Sequence, residues 1–281
     1  MECTEAFGGM GIWSANRLIL WCVRPNSSGY ATWNGKRGRW PTLAAMTIDT
    51  ATFTPTWSEE FDRPIAWGAR WVGDRSSAYR YGDHNPDDNK LDWLDPGCVT
   101  VRDGVAAFTA APADRTLENG LQAWHTGLLT TEHSDEGFQV RTGDQIETRV
   151  RLPRGTGAWP ALWTWKDGGN EVDSFEYHPD NPHLLELSNQ VNGASKYHTD
   201  PGAVAPDRWV TIGTRYGARS VEWYVNGESV FRDGTGVGAD WSAYLILNLS
   251  VCAGRYHPAP CGPDPLTFAV DYLRVYREAA R

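Results

Sequence analysis

From about residue 50 onward the chain is built of short runs in which apolar and polar residues alternate, cut every few positions by Gly, Pro, Asp or Asn. Successive side chains of a strand point to opposite faces, so a period of two marks a ribbon with one buried side. In residues 145–152, Ile146, Val150 and Leu152 alternate with Glu147, Arg149 and Arg151, which predicts one half-buried strand. Val221 to Val225 and Glu228 to Phe231 flank Asn226-Gly227, a pair whose tolerance of positive φ favours the tight turn of a hairpin. Residues 243–251 form a more continuous apolar run, suited to a strand covered on both faces. Leu266, Phe268, Val270, Tyr272 and Tyr276 then recur near period two. There is no long helical periodicity and no internal repeat. The fold expected is all-β, a sandwich or jelly roll.

A chain of 281 residues accommodates one large all-β domain and an extra segment. Residues 1–45 carry five basic residues against two acidic ones, and the composition changes near Ala45. Their one apolar run, Leu18 to Val23, is shorter than a secretory signal requires. We expect 1–45 to be a leader, a poorly ordered N-terminal extension or a misassigned start, and 50–281 to be the folded domain. The net charge of −9 argues against nucleic acid, which calls for a concentrated Lys and Arg surface. No apolar stretch is long enough to span a membrane. Five cysteines are too few for a disulfide scaffold and lack zinc-ligand spacing. Cys252 and Cys261 are the natural pair, closing a loop that contains Gly and Pro. The 15 Trp and 11 Tyr are core by default for the most part, but such rings also serve as platforms under sugars, and about one in three is assigned to a ligand surface.

Trp159-Pro160-Ala161-Leu162-Trp163 leads through a Lys-Asp-Gly-Gly turn into Glu171-Val172-Asp173-Ser174-Phe175-Glu176. In a regular strand residues 171 and 173 share a face, while 176 points the other way. One extra residue, a β-bulge near Ser174 or Phe175, returns all three acids to one side. The glutamates are then four effective steps apart, roughly 13 Å between Cα atoms at about 3.3 Å per step. Side chains leaning together bring the carboxyls to about 5 Å, the separation of retaining rather than inverting glycosidases. One glutamate would attack the anomeric carbon and the other would act as acid and then base. Asp173 would hydrogen-bond the nucleophile and raise the proton affinity of the acid. Spacing does not say which glutamate has which part. Acidic runs are more often a plain solvated strand face, but Trp159, Trp163, Trp165 and Tyr177 beside this one favour a sugar cleft.

The chain here resembles glycoside hydrolase family 16, in the laminarinase-like branch that carries a bulged Glu-x-Asp-x-x-Glu strand. Trp57-Ser58-Glu59-Glu60-Phe61-Asp62 is similar to the family's opening strand and residues 270–276 to its closing strand. Trp159 to Trp163, Val221 to Gly227 and Leu245 to Leu249 match other segments in the family's order, so the resemblance runs from about 55 to 278. It implies a concanavalin A-like β-sandwich jelly roll with an open concave glycan-binding cleft. It also implies that Glu171 is the nucleophile, Asp173 its helper and Glu176 the acid/base. Trp159 and Trp163 would lie near the cleavage point, and Asn89 would contact sugar; Trp124 and His178 complete the candidate substrate-binding set. The resemblance further implies a structural calcium ion held by Glu60, Asp271 and the Gly104 carbonyl, with no cofactor for catalysis.

Two positions depart from the family pattern. Ser174 stands where an aliphatic residue is usual, and residues 178–190 lack the Thr-x-His histidine that relatives commonly carry there. The expected activity is endo-acting, retaining hydrolysis of β-1,3- or mixed β-1,3-1,4-glucan by a monomer working outside the cell. The alternatives are an agar- or carrageenan-type galactan hydrolase and a non-catalytic carbohydrate-binding jelly roll.

Overall fold

The computed structural model describes residues 53–278, and the leader expected over 1–45 lies outside them. In chain order the strands are β1 Phe53–Glu59, β2 Asp92–Leu94, β3 Val99–Arg102, β4 Val105–Thr116, β5 Gln122–Thr126 and β6 Leu128–Thr130. Next come β7 Gln139–Arg141, β8 Asp144–Arg151, β9 Ala158–Trp165, β10 Val172–Glu176, β11 Leu184–Asn189 and β12 Ala194–Thr199. The last are β13 Trp209–Tyr216, β14 Val221–Val225, β15 Glu228–Arg232, β16 Ser242–Val251 and β17 Leu266–Glu278. Only two short 3-10 turns, Pro86–Asp88 and Pro96–Cys98, interrupt this all-β pattern among the described residues. None of these residues forms a helix long and apolar enough to cross a membrane.

The strands divide into two sheets. The larger runs β15-β14-β13-β8-β17-β4-β5-β2, with β1 on β17 and β3 on β4. The smaller runs β12-β11-β10-β9-β16-β6, with β7 on β16. Neighbours in both are antiparallel except β2 and β5. Many of these neighbours are distant in sequence, as in β16 on β9 and β17 on β8. That arrangement is the jelly-roll sandwich expected of alternating strands that bury one face each.

The inward faces meet in one apolar core. Phe108, Ile146, Val150, Trp223 and Phe268 of the larger sheet face Leu162, Phe175, Leu187, Leu245 and Leu247 of the smaller. Phe175 and Phe268 touch across the layer, ring centroids 6.3 Å apart. The strand over 144–151 lies at the centre of its sheet and is more buried than its alternation suggests: Gln145, Glu147 and Thr148 are buried too. Glu147 is accommodated because the Tyr272 hydroxyl donates to it at 2.9 Å. At the hairpin, Asn226 and Gly227 take φ of 49° and 87°, the left-handed pair that a two-residue turn demands.

Two expectations fail. Cys252 is a free thiol, so the Cys252–Cys261 disulfide does not form; the Cys252 side chain is buried against the His178 ring at 3.5 Å, whereas Cys261 lies exposed in the following loop. Glu60 and Asp271 do not fit a calcium ion. Arg274 grips Glu60 with two bonds of 2.9 and 2.7 Å, and Arg149 holds Asp271 at 2.7 Å. With an arginine neutralising each carboxylate, neither offers the uncompensated charge that a hard cation seeks beside the Gly104 carbonyl.

Candidate active site

The outer face of the smaller sheet carries the polar chemistry, and the local sequence of β10 explains how. β9 turns into β10 through Lys166-Asp167-Gly168-Gly169, with φ of 54° at Asp167 and 76° at Gly168. Two backbone bonds between Lys166 and Gly169, of 2.8 and 3.0 Å, close this tight turn. Thr164 fixes where the new strand begins, since its hydroxyl accepts from the Val172 amide at 2.9 Å and donates to the Asn170 carbonyl at 2.9 Å.

Against β9, Asp173 pairs with Trp163, yet Phe175 pairs with the adjacent Leu162. Ser174 is therefore the extra residue of a β-bulge. Its hydroxyl points inward to the Tyr216 hydroxyl at 3.4 Å, and Phe175 also points into the core. Two consecutive inward residues shift the alternation by one, so Glu176 emerges on the same side as Asp173 and Glu171. The bulge is tied to the opposite sheet by Trp223, whose indole N–H donates to the Asp173 carbonyl at 2.8 Å. Glu171 precedes β10 by one residue, and its carbonyl accepts from the Gln190 amide at 3.0 Å.

The three carboxylates line one open cavity of about 440 Å³ together with Trp159, Ala161, Trp163, Trp165, Lys90 and Asn248. Positions 159, 161, 163 and 165 are the outward half of β9, as a period of two requires. The Trp159 indole donates to Glu176 Oε1 at 2.8 Å, and the Trp163 indole donates to Asn248 Oδ1 at 2.8 Å. A second cavity of about 400 Å³ continues past Glu176 and shares Trp159 with the first; Asn89, His178, Glu186, Tyr197, Tyr256 and His257 line it.

Burial sets the electrostatics. It raises the Glu176 pKa to about 7, against the lowering effects of the Trp159 bond and of Lys90. Burial, followed by repulsion from Glu176 and Glu171, pushes Asp173 well above the usual carboxylate range. Ser188 opposes that rise by donating its hydroxyl to Asp173 Oδ2. Glu171 is raised by burial while Lys90 pulls it down. The arrangement thus holds a carboxyl that titrates near neutral pH beside Glu171, whose ionised form Lys90 favours, a pairing suited to general acid and nucleophile.

That cation was not among the residues anticipated from the sequence. Lys90 is buried, with its ammonium 2.6 Å from Asp88 Oδ2 and 4.6 Å from the Trp159 ring centroid. Burial works to lower its pKa, but Asp88 and Asp92 outweigh it and the net shift is upward, so Lys90 stays charged. Asp92 is anchored beneath it by the Tyr79 hydroxyl at 2.7 Å, the Ser250 hydroxyl at 2.6 Å and the Val251 amide at 2.8 Å. The legible signal was Asp88, Lys90 and Asp92 at a spacing of two, a charged face at the entry to a strand.

The other anticipated residues divide. Trp159 and Trp163 line the cleft, and His178 lies beyond Glu176 with its ring 5.2 Å from Trp159. Asn89 borders the second cavity with a φ of 54°, and its side-chain oxygen is taken by the Arg255 amide at 3.0 Å. Trp124 lies elsewhere: it is 5% exposed and belongs to the main core. In β5 it faces inward, and it lines neither cavity.

No protein-family model matches the chain. Among curated proteins it is similar to an endo-1,3-1,4-beta-glycanase, EglC, of Rhizobium meliloti, 23% identical over 83% of this chain and 53% of that one. It is also similar to a glucan endo-1,3-beta-glucosidase A1 of Niallia circulans, 28% identical over 64% of this chain and 31% of that one. The chain thus spans about half the length, or less, of these two relatives. The endo-beta-1,3-glucanase of Pyrococcus furiosus shares the fold, with a TM-score of 0.68, 22% identity and coverage of 82% of this chain and 96% of that one.

Proposed function

We propose that this chain is a member of the laminarinase-like branch of glycoside hydrolase family 16 and an endo-acting retaining hydrolase of β-1,3- or mixed β-1,3-1,4-glucan. In this reading Glu171 attacks the anomeric carbon while Glu176 delivers its proton to the leaving oxygen. Glu176 then takes a proton from the water that releases the glycosyl-enzyme. Asp173, between the two glutamates on the same face, positions Glu171. The observation that carries the reading is the bulge at Ser174, which turns three nearby acids onto one tryptophan-lined face. A group with a pKa of about 7 is protonated often enough to act as an acid at neutral pH. The carboxylates carry the chemistry, so the reading calls for no cofactor.

The endo mode is supported by the two cavities that adjoin at Trp159 and Glu176, which together give a chain room on more than one side of the acid. The side chains around the acids favour a neutral polymer. Asp87, Asp88, Glu171, Asp173 and Glu176 line the first cavity against a single Lys90, and sulfate esters would meet that negative field unpaired. This speaks for glucan over a sulfated galactan. Such a polymer is met outside the cell, where we place the enzyme's action.

The test is release of reducing ends from laminarin, lichenan, agarose, κ-carrageenan and keratan sulfate by the wild type, Glu171→Gln and Glu176→Gln. Release from laminarin or lichenan that either substitution cuts by at least about 10³-fold supports the reading. Equal rates in variants and wild type overturn it, as does binding of β-glucan without any cleavage.

A further inference from the structure

Beyond Glu176 the cleft wall holds a second cluster that the hydrolytic reading does not use. His178, directly after β10, and His257, in the loop between β16 and β17, stack face to face with ring centroids 3.5 Å apart and planes within 4°. Asp180 lies 3.0 Å from Nδ1 of His257. A carboxylate there takes the Nδ1 proton and leaves Nε2 as the nitrogen with the lone pair. That Nε2 faces Glu186 Oε1 at 3.5 Å, and Nε2 of His178 faces the same oxygen at 3.9 Å. The His178 tautomer protonated at Nδ1, which faces Cys252 Sγ at 3.5 Å, leaves its Nε2 as a lone-pair atom too. Glu186 Oε1 thus lies within 3.9 Å of Nε2 on each ring, at separations longer than hydrogen bonds. Ligands bound at about 2.0–2.2 Å in a tetrahedral array sit about 3.3–3.6 Å apart, close to these spacings.

We propose that His178, His257 and Glu186 form a binding site for a divalent transition-metal ion of the Zn²⁺ type on the cleft wall beyond Glu176, with Asp180 as the outer carboxylate that orients His257. Two imidazoles and one carboxylate are a donor set suited to such ions and not to calcium or magnesium, which prefer oxygen alone. A histidine ligand normally gives its other ring nitrogen to a carboxylate, which is the part Asp180 plays. Parallel rings aim their lone pairs side by side, so one ring must tilt to bring both onto an ion. His257 is carried on a loop, and its side chain is 18% exposed. The same cavity opens toward the exposed Tyr197 and Tyr256, leaving room for a water ligand. The site belongs to the cavity that contains Trp159 and Glu176, so on the hydrolase reading above a bound ion obstructs the glycan there.

Calorimetric titration of the full chain with Zn²⁺ alone tests the site without any call on activity, and so separately from the hydrolase reading. One Zn²⁺ per chain should bind at micromolar or tighter affinity at neutral pH. Binding should weaken at least tenfold in His257→Ala and in Glu186→Gln, both folded by circular dichroism, and by a smaller factor in Asp180→Asn. Absence of Zn²⁺ binding overturns the proposal and makes His257 a proton-bridged partner of Asp180 and Glu186. Unchanged affinity in both His257→Ala and Glu186→Gln overturns it equally.

Discussion

The indole N–H of Trp159 donates to Glu176 Oε1 at 2.8 Å, so the ring that forms a wall of the cleft also steadies the carboxyl proposed as acid and base. The bond favours the ionised form of Glu176 and holds down a pKa that burial has raised to about 7. Replacing Trp159 with Phe keeps most of the ring and removes the donor. Glu176 then stays protonated to higher pH, and the basic limb of the kcat profile moves upward by about half a unit or more, that is by about 0.7 kcal/mol. A pH series on laminarin reads the shift directly, and an unmoved limb separates Trp159 from the acid.

Lys90 lowers the pKa of Glu176 too, and it acts on the opposite limb as well. It lowers the pKa of Glu171, so Lys90→Met raises the pH at which a nucleophile at that position becomes an anion. The acid limb of kcat/KM should move upward, and Lys90→Arg should restore most of the difference. The Met variant also leaves Asp88 without its ion-pair partner and removes the charge nearest Asp92, which should cost about 1–3 kcal/mol in stability. Thermal unfolding checks that second effect independently.

Much of this site was written in the chain, because period-two alternation and the parity of residues 171, 173 and 176 are local properties. Those properties predicted the bulge, and the register of β9 with β10 puts it at Ser174. What stayed hidden depends on pairings distant in sequence. Lys90 meets the acids only because the Lys90–Asp92 segment runs beside the end of β16, with Leu91 donating to the Val251 carbonyl at 2.8 Å. Ser188 reaches Asp173 only through the β10–β11 pairing. Trp124 misled for the same reason, since whether an aromatic faces core or cleft is fixed by which sheet face its strand presents. Composition made Cys252 and Cys261 look like partners; burial of Cys252 against His178 separates them.

Ser188→Ala isolates the support given to Asp173. The hydroxyl lowers the Asp173 pKa and is buried with it. Its loss should reduce kcat about tenfold with little change in KM, because an orienting bond acts on the reacting geometry more than on binding. Steady-state kinetics on lichenan makes the comparison, and a change confined to KM contradicts the positioning role.

Glu176 should weaken the fold as it strengthens the chemistry. Its folded pKa of about 7 lies above the ordinary 4.5, so between those values the folded state binds more protons than the unfolded one. Stability therefore falls as pH rises through that window. Glu176→Gln should flatten this dependence and gain at least about 1 kcal/mol at pH 8, about 2–4 °C in Tm for a domain of this size. Melting curves from pH 4 to 8 test it.

A double displacement by Glu171 and Glu176 preserves the configuration of the cut end. Proton NMR of β-glucan during the first minutes of hydrolysis, before the anomers equilibrate, reads that configuration. The wild type should release the β-anomer first, and Glu171→Gln should give no signal above background. Initial release of the α-anomer, or undiminished release by Glu171→Gln, would contradict it.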